Sequence, residues 1–352
     1  MCRNREIEKR GGEEMNSSFL KKWGLIGLVF LFSIAVLVGC GTENEQTPEE
    51  TSEQEVTETE DTQNEETEGE EQASFPVTLT DDIGRELTIE EEPETIISVQ
   101  ASTTEILFAL GLGDKIIGVS DYDNYPEEAL EIQKVGAQDM NVELILQLLP
   151  DIIFVTDYHY NNHGDIIEQF EEAGIKVAVT GSAASFDDAY SGMEMIATAT
   201  GTKEEADAII TDMKNRLDTI KEKAQEITDK KKVWVEVSPA PDIFTTGKDT
   251  FMHEMLESIN AINVAEEEEG WVKFTEEEAV NLNPDVIITT YGYYVDDPET
   301  EVYSRDGWQE VPAVKNEQVF DVNNDTVTRP GPRLIEGVET LAELIYPEVF
   351  GE

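Results

Sequence analysis

A short stretch of the chain recurs once, and it limits the possible folds more than any other feature. Residues 141–153 (NVELILQLLPDII) return as residues 275–287 (TEEEAVNLNPDVI), at a constant offset of 134. Each copy has the pattern of a helix N-cap, a glutamate two residues on, a short helix, and a Pro-Asp pair entering a buried strand. We therefore expect two similar lobes, each with one glutamate, Glu143 or Glu277, at a helix start. Stabilisation of a first helical turn by acidic side chains could alone explain both glutamates.

The pattern of apolar residues beyond Phe75 predicts the fold class. Short runs rich in Ile and Val alternate with helical periods, as is typical of parallel strands buried on both faces. The class is therefore α/β. The predicted strands are Ile96–Val99, Ile116–Val119, Ile152–Val155, Val177–Val179, Val233–Val237, Val286–Thr289 and Val319–Val322.

A long amphipathic segment separates the two halves. Between Thr202 and Asp229 the apolar residues recur at spacings of three and four, which predicts one helix about 40 Å long. Thr202 and Glu205 have the spacing of a capping box at its start. A helix of this length can bridge a first lobe, residues 74–201, and a second lobe, residues 230–352.

The N-terminal region is typical of a targeting segment. Two lysines, Lys21 and Lys22, precede an uncharged and mostly apolar run from Trp23 to Gly39, so residues 15–39 predict a signal peptide. The run ends in Leu-Val-Gly-Cys, which matches the lipobox of bacterial lipoproteins and predicts Cys40 as the lipidated residue. Residues 1–14 fit neither a signal peptide nor a mature protein, and we interpret them as a segment upstream of the true start.

Charge and cysteine content exclude several functions. The net charge is −54, from 24 basic and 78 acidic residues, which argues against binding nucleic acid or anionic lipid by electrostatics. Residues 40–73 hold Cys40 and then an acidic stretch almost without apolar side chains, which predicts a disordered tether. Cys2 and Cys40 are the two cysteines, so the predicted lobes have no thiol chemistry.

No residue pattern indicates catalysis. The sequence lacks a histidine pair of the HExxH kind, a nucleophile elbow and a Gly-rich phosphate loop. A membrane-tethered enzyme is therefore a distant alternative, and a structural or adhesive surface lipoprotein is another. Ligands of α/β sheets bind outside the carboxyl ends of the strands, and most of the ten tyrosines follow predicted strands. This clustering favours a cleft for a large, partly apolar ligand.

Several motifs in fixed order resemble a known family. IISVQASTTEILFALGLGDKIIGVSDYDNYPEEA, KVGAQDMNVELILQLLPDIIFV, TGKDTFMHEML, GW and TRPGPRL are similar to the substrate-binding lipoproteins of iron-siderophore, haem and cobalamin ABC importers. The resemblance covers Phe75 to Glu352 and is greatest to the cobalamin-binding, BtuF-type members. It implies two Rossmann-like lobes joined by a single rigid helix, the class III substrate-binding fold. It also implies that Glu143 and Glu277 dock onto arginines of the permease dimer.

The resemblance and the strand ends together give the expected site. In cobalamin-binding relatives Tyr122 matches a tyrosine that contacts the corrin, and Trp271 lies in a motif that faces the cleft. A tryptophan of those relatives is missing, because Ala137 and Gln138 occupy a shorter loop. Arg329 and Arg333 could instead serve an anionic siderophore or haem propionates, although Arg333 could equally be a structural ion-pair or C-cap residue. The expected ligand-binding residues are Ser102, Thr103, Tyr122, Gln138, Tyr158, His159, Pro241, Trp271, Tyr291 and Arg329.

The expected protein is a receptor without catalysis, resident cofactor or metal site. Its ligand would be a cobalamin or another corrinoid, with a ferric siderophore or haem as the alternatives. Its partners would be the permease dimer and its ATPase. The protein would be a monomer held by its lipid on the outer face of the cell membrane, in the manner of Gram-positive lipoproteins.

Overall fold

The computed structural model describes residues 75–351. The predicted upstream segment, signal peptide, lipidated Cys40 and tether lie outside these residues. Within the described part of the chain, none of the helices is both long enough and apolar enough to cross a membrane.

The first lobe is built on a four-stranded parallel sheet in the order β4-β3-β5-β6. All four predicted strands are confirmed to within one residue at each end. The lobe also has an antiparallel hairpin, β1-β2, that the sequence did not predict. Its elements are β1 (Val77–Thr80), β2 (Glu86–Ile89), β3 (Ile96–Ser98), α1 (Ala101–Ala109), β4 (Ile116–Gly118), α2 (Val142–Leu148), β5 (Ile152–Thr156), α3 (Asp157–Asn162), α4 (Gly164–Glu172), β6 (Lys176–Thr180) and α5 (Phe186–Thr200).

The long connecting helix is present but shorter than predicted. It is α6 (Lys203–Ala224), 22 residues or about 33 Å. After Ala224 the backbone bonds change from i+4 to i+3, from Gln225 to Glu222 and from Ile227 to Ala224. The Asn260 side chain donates to the carbonyls of Ala224 and Ile227 at 3.3 and 3.2 Å, which satisfies the last turn and ends the helix.

The predicted capping box at the start of this helix is wrong. The Thr202 side chain makes no capping bond, and its hydroxyl instead pairs with the Thr200 hydroxyl at 2.9 Å. The basic residues of the last turn are Lys221 and Lys223, which lie where the negative end of the helix dipole favours them.

The second lobe repeats the architecture of the first. Its parallel sheet has the order β12-β11-β7-β9, and an antiparallel ribbon, β8-β10, lies beside it. Predicted strands match β7, β11 and β12 to within one residue, whereas β8, β9 and β10 were not predicted. The elements are β7 (Lys232–Glu236), β8 (Ile243–Thr246), α7 (Phe251–Ser258), β9 (Ile262–Asn263), β10 (Trp271–Phe274), α8 (Glu276–Leu282), β11 (Val286–Thr289), α9 (Pro298–Ser304), α10 (Pro312–Lys315), β12 (Val319–Asp321), α11 (Asn324–Thr328), α12 (Leu334–Ile345) and α13 (Pro347–Phe350).

The sequence repeat forms the same structure in both lobes. Helices α2 and α8 are capped by the side chains of Asn141 and Thr275, and both end in a left-handed residue. Asp151 then accepts from the backbone N–H of Thr95, just before β3, and Asp285 accepts from Lys232 N–H at the start of β7, each at 2.9 Å. The Pro-Asp pair therefore ties each central strand to its neighbour.

One apolar core runs through both lobes. It contains Phe154 of the first sheet, Met213 and Leu217 of α6, and Ile288 of the second sheet. Helix α6 packs against α5, α7 and α12, so the lobes are joined by a continuous packed layer.

Candidate functional site

The carboxyl edges of the two parallel sheets meet at the lobe boundary. Asn124, after β4, donates from Nδ2 to Asp325 Oδ2 of α11, after β12, at 3.0 Å. Its own Oδ1 accepts from Arg329 Nη1 at 2.7 Å. Because the carboxyl ends of parallel strands lie at one edge of their sheet, the loops after the other strands of each sheet lie along the same edge as these residues. This is the position at which open α/β sheets bind ligands.

Aromatic side chains are exposed around these strand ends. Tyr122, after β4, is 71% exposed, and Tyr293, after β11, is 75% exposed. Exposed aromatic patches are unusual on a protein surface unless a ligand or partner covers them. The full set of exposed aromatic side chains in residues 75–351 is Tyr122, Tyr125, Tyr158, Phe244, Trp271, Tyr293 and Tyr294.

Tyr291 also follows β11, but its side chain is buried and does not face the cleft. Its hydroxyl donates to Glu236 Oε1 at 2.8 Å and accepts from Arg305 Nη2 at 3.2 Å. Burial and the adjacent Glu236 carboxylate raise the pKa of Tyr291, which keeps the hydroxyl protonated as a donor. The expected ligand contact of Tyr291 is therefore corrected to a supporting one beneath Tyr293 and Tyr294.

The ion pair between Arg305 and Glu236, which holds the Tyr291 hydroxyl, is also buried. Arg305 Nη1 donates to Glu236 Oε2 at 2.9 Å, and both side chains are almost fully inaccessible. Trp234 Nε1 donates to the same carboxylate oxygen at 3.1 Å. Each polar group of this network has a partner, as burial requires.

His159 was expected to bind ligand, and the structure corrects this expectation because its ring lies in the interior. Its Nδ1 accepts from the backbone N–H of Thr156 at 3.2 Å, so the proton is on Nε2, which donates to the Ala137 carbonyl at 2.8 Å. Burial lowers the pKa of His159. The imidazole thus supports the loop before Gln138, while the adjacent Tyr158 is exposed.

Ser102 and Thr103 are buried in the first turn of α1, and their contact with a ligand stays a prediction. Gly331 of the second lobe packs on this turn, with an ideal Cβ placed 3.8 Å from the Ser102 carbonyl. The two side chains line a small cavity of about 300 Å³ that also includes Gln100, Thr180 and Pro330.

The guanidinium group of Arg329 forms an ion pair within the protein and is therefore not available to an anionic ligand. Its Nη1 donates to Glu105 Oε1 at 2.8 Å. Arg333 holds the same carboxylate through Nε and Nη2, at 2.8 and 2.7 Å. Despite burial, the Glu105 carboxylate raises the pKa of Arg333. The ion-pair interpretation of Arg333 is confirmed, whereas a C-cap is wrong because this residue precedes α12.

The other expected ligand residues are accessible. Gln138 is exposed in a tight turn that requires glycine at position 136, where the φ angle is +91° and a Cβ would lie 2.3 Å from the Asp139 carbonyl. Pro241 is exposed between β7 and β8. Trp271 is 50% exposed in β10, opposite Thr246 of β8.

Sequence reasoning missed several residues of this region. The exposed aromatics Tyr125, Phe244, Tyr293 and Tyr294 were not assigned to the site. The sequence did show tyrosines after predicted strands, but it did not tell which of them faces outward. Glu105 gave no signal at all, because its partner is 224 residues away.

A larger cavity of about 960 Å³ lies where α1 and α6 approach the start of α12. Its apolar lining includes Phe108, Ile209 and Met213, and its polar lining includes Glu105 and Arg333. The ion pairs of Glu105 therefore form part of its wall.

Glu143 and Glu277 occupy equivalent positions on the two lobes. Each is exposed in the first turn of its helix, α2 or α8. Within residues 75–351, no group of three or more His, Asp or Glu side chains is arranged to hold a metal ion.

Comparisons with known proteins agree with this architecture. The family model described as "Periplasmic binding protein" matches residues 96–326. An uncharacterized ABC transporter substrate-binding lipoprotein of Bacillus subtilis, YvrC, is 43% identical over 335 residues, 95% of this chain and all of that protein. A vitamin B12-binding protein of Vibrio parahaemolyticus is 27% identical over 73% of this chain and 91% of its own. The crystal structure of a possible iron-binding, periplasmic solute-binding protein of Staphylococcus epidermidis is 34% identical, with a TM-score of 0.66, and covers 73% of this chain and 100% of its own.

Proposed function

Because this chain belongs to the periplasmic binding protein family, as a substrate-binding protein of ABC transporters, we propose that it captures a cobalamin or another corrinoid and delivers it to a permease. The proposed site is the cleft between the carboxyl edges of the two sheets. Its surface residues would be Tyr122, Gln138, Tyr158, Pro241, Phe244, Trp271, Tyr293 and Tyr294.

The observation that carries this proposal is that exposed aromatic side chains follow strands of both parallel sheets, as Tyr122 follows β4 and Tyr293 follows β11. A corrin ring is a broad and partly apolar surface with amide groups at its rim. Tyrosine and tryptophan suit such a ligand, since they offer apolar faces and a polar atom at the edge. The vitamin B12-binding relative supports the same ligand class.

The charges of the cleft favour corrinoids over anionic chelates. Arg329 and Arg333 are balanced by the carboxylates of Glu105 and Asp325, and Lys273, beside Trp271, is paired with Asp242. An anionic siderophore or a haem propionate would have to compete with these carboxylates for the cations. The second candidate is a ferric chelate, and the similarity to the possible iron-binding protein of S. epidermidis is what favours it.

Delivery would use the two equivalent glutamates. Glu143 and Glu277 are exposed, lie at the same place in the two copies of the repeat, and would pair with arginines on the two halves of the permease. Charge pairs at the rim of an interface mainly guide association and register. One monomer on a two-fold permease, served by its ATPase, fits this arrangement.

The proposed location is the outer face of the cell membrane. The lipobox predicts attachment of a lipid at Cys40, and the similar B. subtilis protein is described as a lipoprotein. The acidic segment that follows Cys40 would keep the lobes away from an anionic membrane surface.

The test is a binding titration of the full chain with cyanocobalamin, a ferric hydroxamate, a ferric catecholate and haemin. Of the tryptophans in the described residues, Trp271 is exposed while Trp234 and Trp308 are buried. Quenching of Trp271 should therefore report on the cleft, with Trp271→Phe as the control and equilibrium dialysis as an independent readout. Saturable binding of cyanocobalamin at micromolar concentration or below supports the proposal. Binding of a ferric chelate alone replaces the corrinoid with the second candidate.

A further inference from the structure

A cluster of charged and polar side chains joins the lobes next to the cleft. We call it the interlobe cluster. Its six members are Glu105, Asn124 and Tyr125 of the first lobe, and Asp325, Arg329 and Arg333 of the second. Helix α1 supplies the central carboxylate, and the segment around α11 supplies both guanidinium groups.

The geometry of the cluster is that of strong, ordered ion pairs. Glu105 accepts three bonds of 2.7–2.8 Å, and only 3% of its side chain is exposed. Arg333 donates two of these bonds from its planar guanidinium group. Arg329 also pairs with Asp325 at 2.9 Å, and both arginine side chains are mostly buried. Such desolvated, multiply bonded pairs hold a fixed geometry, unlike isolated surface pairs.

The interlobe cluster contacts the loop that carries Tyr122, residues 121–125, which we call the Tyr122 loop. The side-chain amide of Asn124 accepts a hydrogen bond from Arg329 at 2.7 Å and donates one to Asp325 at 3.0 Å. The Tyr125 ring lies under the Arg333 guanidinium, 3.9 Å from its centroid.

The opposite end of this loop is held from within the first lobe. The Tyr122 backbone N–H donates to Ser120 Oγ at 3.2 Å, and Lys134 Nζ donates to the Asp123 carbonyl at 3.1 Å. The loop is thus fixed at both ends while the Tyr122 ring is exposed. The second lobe therefore contacts this loop at Asn124 and Tyr125, two and three residues after the exposed Tyr122.

We infer that Arg329 and Arg333 are positioning residues of the ligand site: through Glu105, Asn124 and Tyr125 they hold the Tyr122 loop in its binding conformation without touching the ligand. This inference rests on the proposed function of the cleft for its effect on affinity. The conformational part can be measured with no ligand present.

The experiment compares variants of the full chain by amide hydrogen exchange over residues 121–125 and by cyanocobalamin affinity. Arg329→Gln and Asn124→Ala should each speed exchange in this segment and weaken binding about tenfold. The double variant should be no worse than the more severe single variant, since both remove the same contact. Arg329→Lys keeps the charge and should restore part of both properties.

Arg216→Gln is the matched control. Arg216 makes an equally close pair with Glu339 of α12, at 2.6–2.8 Å, but does not contact the Tyr122 loop. It should lower the unfolding temperature while leaving exchange over residues 121–125 and ligand affinity within about twofold of wild type. This comparison separates positioning from general stability.

Two results would overturn the inference. One is unchanged exchange of residues 121–125 in both Arg329→Gln and Asn124→Ala. The other is an equal effect of Arg216→Gln on that segment. If the wild type binds none of the tested ligands, the proposed function fails, yet the exchange data still decide whether the cluster holds the loop. Weaker binding of a ferric chelate with unchanged exchange would make Arg329 a ligand contact instead.

Discussion

Replacing Tyr122 by alanine tests whether the aromatic cleft is the ligand site. A tyrosine side chain offers roughly 200 Å² for burial, and 71% of Tyr122 is exposed, which leaves about 140 Å² for a ligand to cover. A flat ligand covers about half of that, and about 70 Å² at roughly 25 cal/mol per Å² amounts to about 1.8 kcal/mol. Tyr122→Ala should therefore weaken binding about twentyfold.

The assay is the same titration of the full chain, with stability followed by thermal unfolding. Leu149→Ala is the control, because Leu149 is a similarly exposed apolar side chain, 57% accessible, that follows α2 rather than a strand. We expect Tyr122→Ala to keep the wild-type unfolding temperature and Leu149→Ala to keep the wild-type affinity. The reasoning is refuted if the wild type binds cyanocobalamin and Tyr122→Ala binds it equally well.

Further predictions concern the proposed docking glutamates, Glu143 and Glu277, and the buried side chains of Tyr291 and His159. Glu143→Arg combined with Glu277→Arg should abolish uptake of labelled ligand by cells while affinity stays within about twofold; a loss of affinity would contradict a docking role. Tyr291→Phe should lower the free energy of unfolding in urea by about 1–3 kcal/mol, because Glu236 loses a buried donor, and a variant with normal stability but weak binding would return Tyr291 to the ligand surface. The lowered pKa of His159 means that the unfolded state takes up its proton first. Stability should therefore begin to fall as the pH drops towards about 6.5, the pKa of a histidine in an unfolded chain, and should fall most steeply below it, and His159→Gln should flatten this dependence in thermal unfolding; an equal fall in the variant would show that other groups cause it.

Local signals in the sequence were enough for the repeat and for every strand of the two parallel sheets except β9. Continuous runs such as Ile152–Thr156 are buried on both faces, so their composition reports their position directly. The repeat carries its own caps and its own Pro-Asp pair, and these act within a few residues or on the neighbouring strand. Short strands such as β9 and the β8-β10 ribbon lack such runs, which explains why they were not predicted.

The burial of Tyr291 and the end of helix α6 both depend on partners far along the chain. Tyr291 and Tyr293 are separated by one glycine, and the difference between them is that the first meets Glu236, 55 residues upstream. Helix α6 ends early because Asn260 caps it from 36 residues beyond. Local sequence patterns identify the loop or the helix. They do not show which side chain, far along the chain, hydrogen-bonds to that loop or caps that helix.

The shared core constrains how a ligand can be released. Wide hinge motion requires connecting segments that absorb large backbone changes, whereas α6 is a continuous helix that packs against α5 of the first lobe and against α7 and α12 of the second. Separating the lobes fully would expose this core, and close-packed interiors resist such deformation. The polar interlobe cluster lies at the open edge instead, where ion pairs can exchange partners without exposing apolar surface. Rearrangement of Glu105 and its two arginines would also free Asn124 and Asp325, which Arg329 holds, so the Tyr122 loop would move with them.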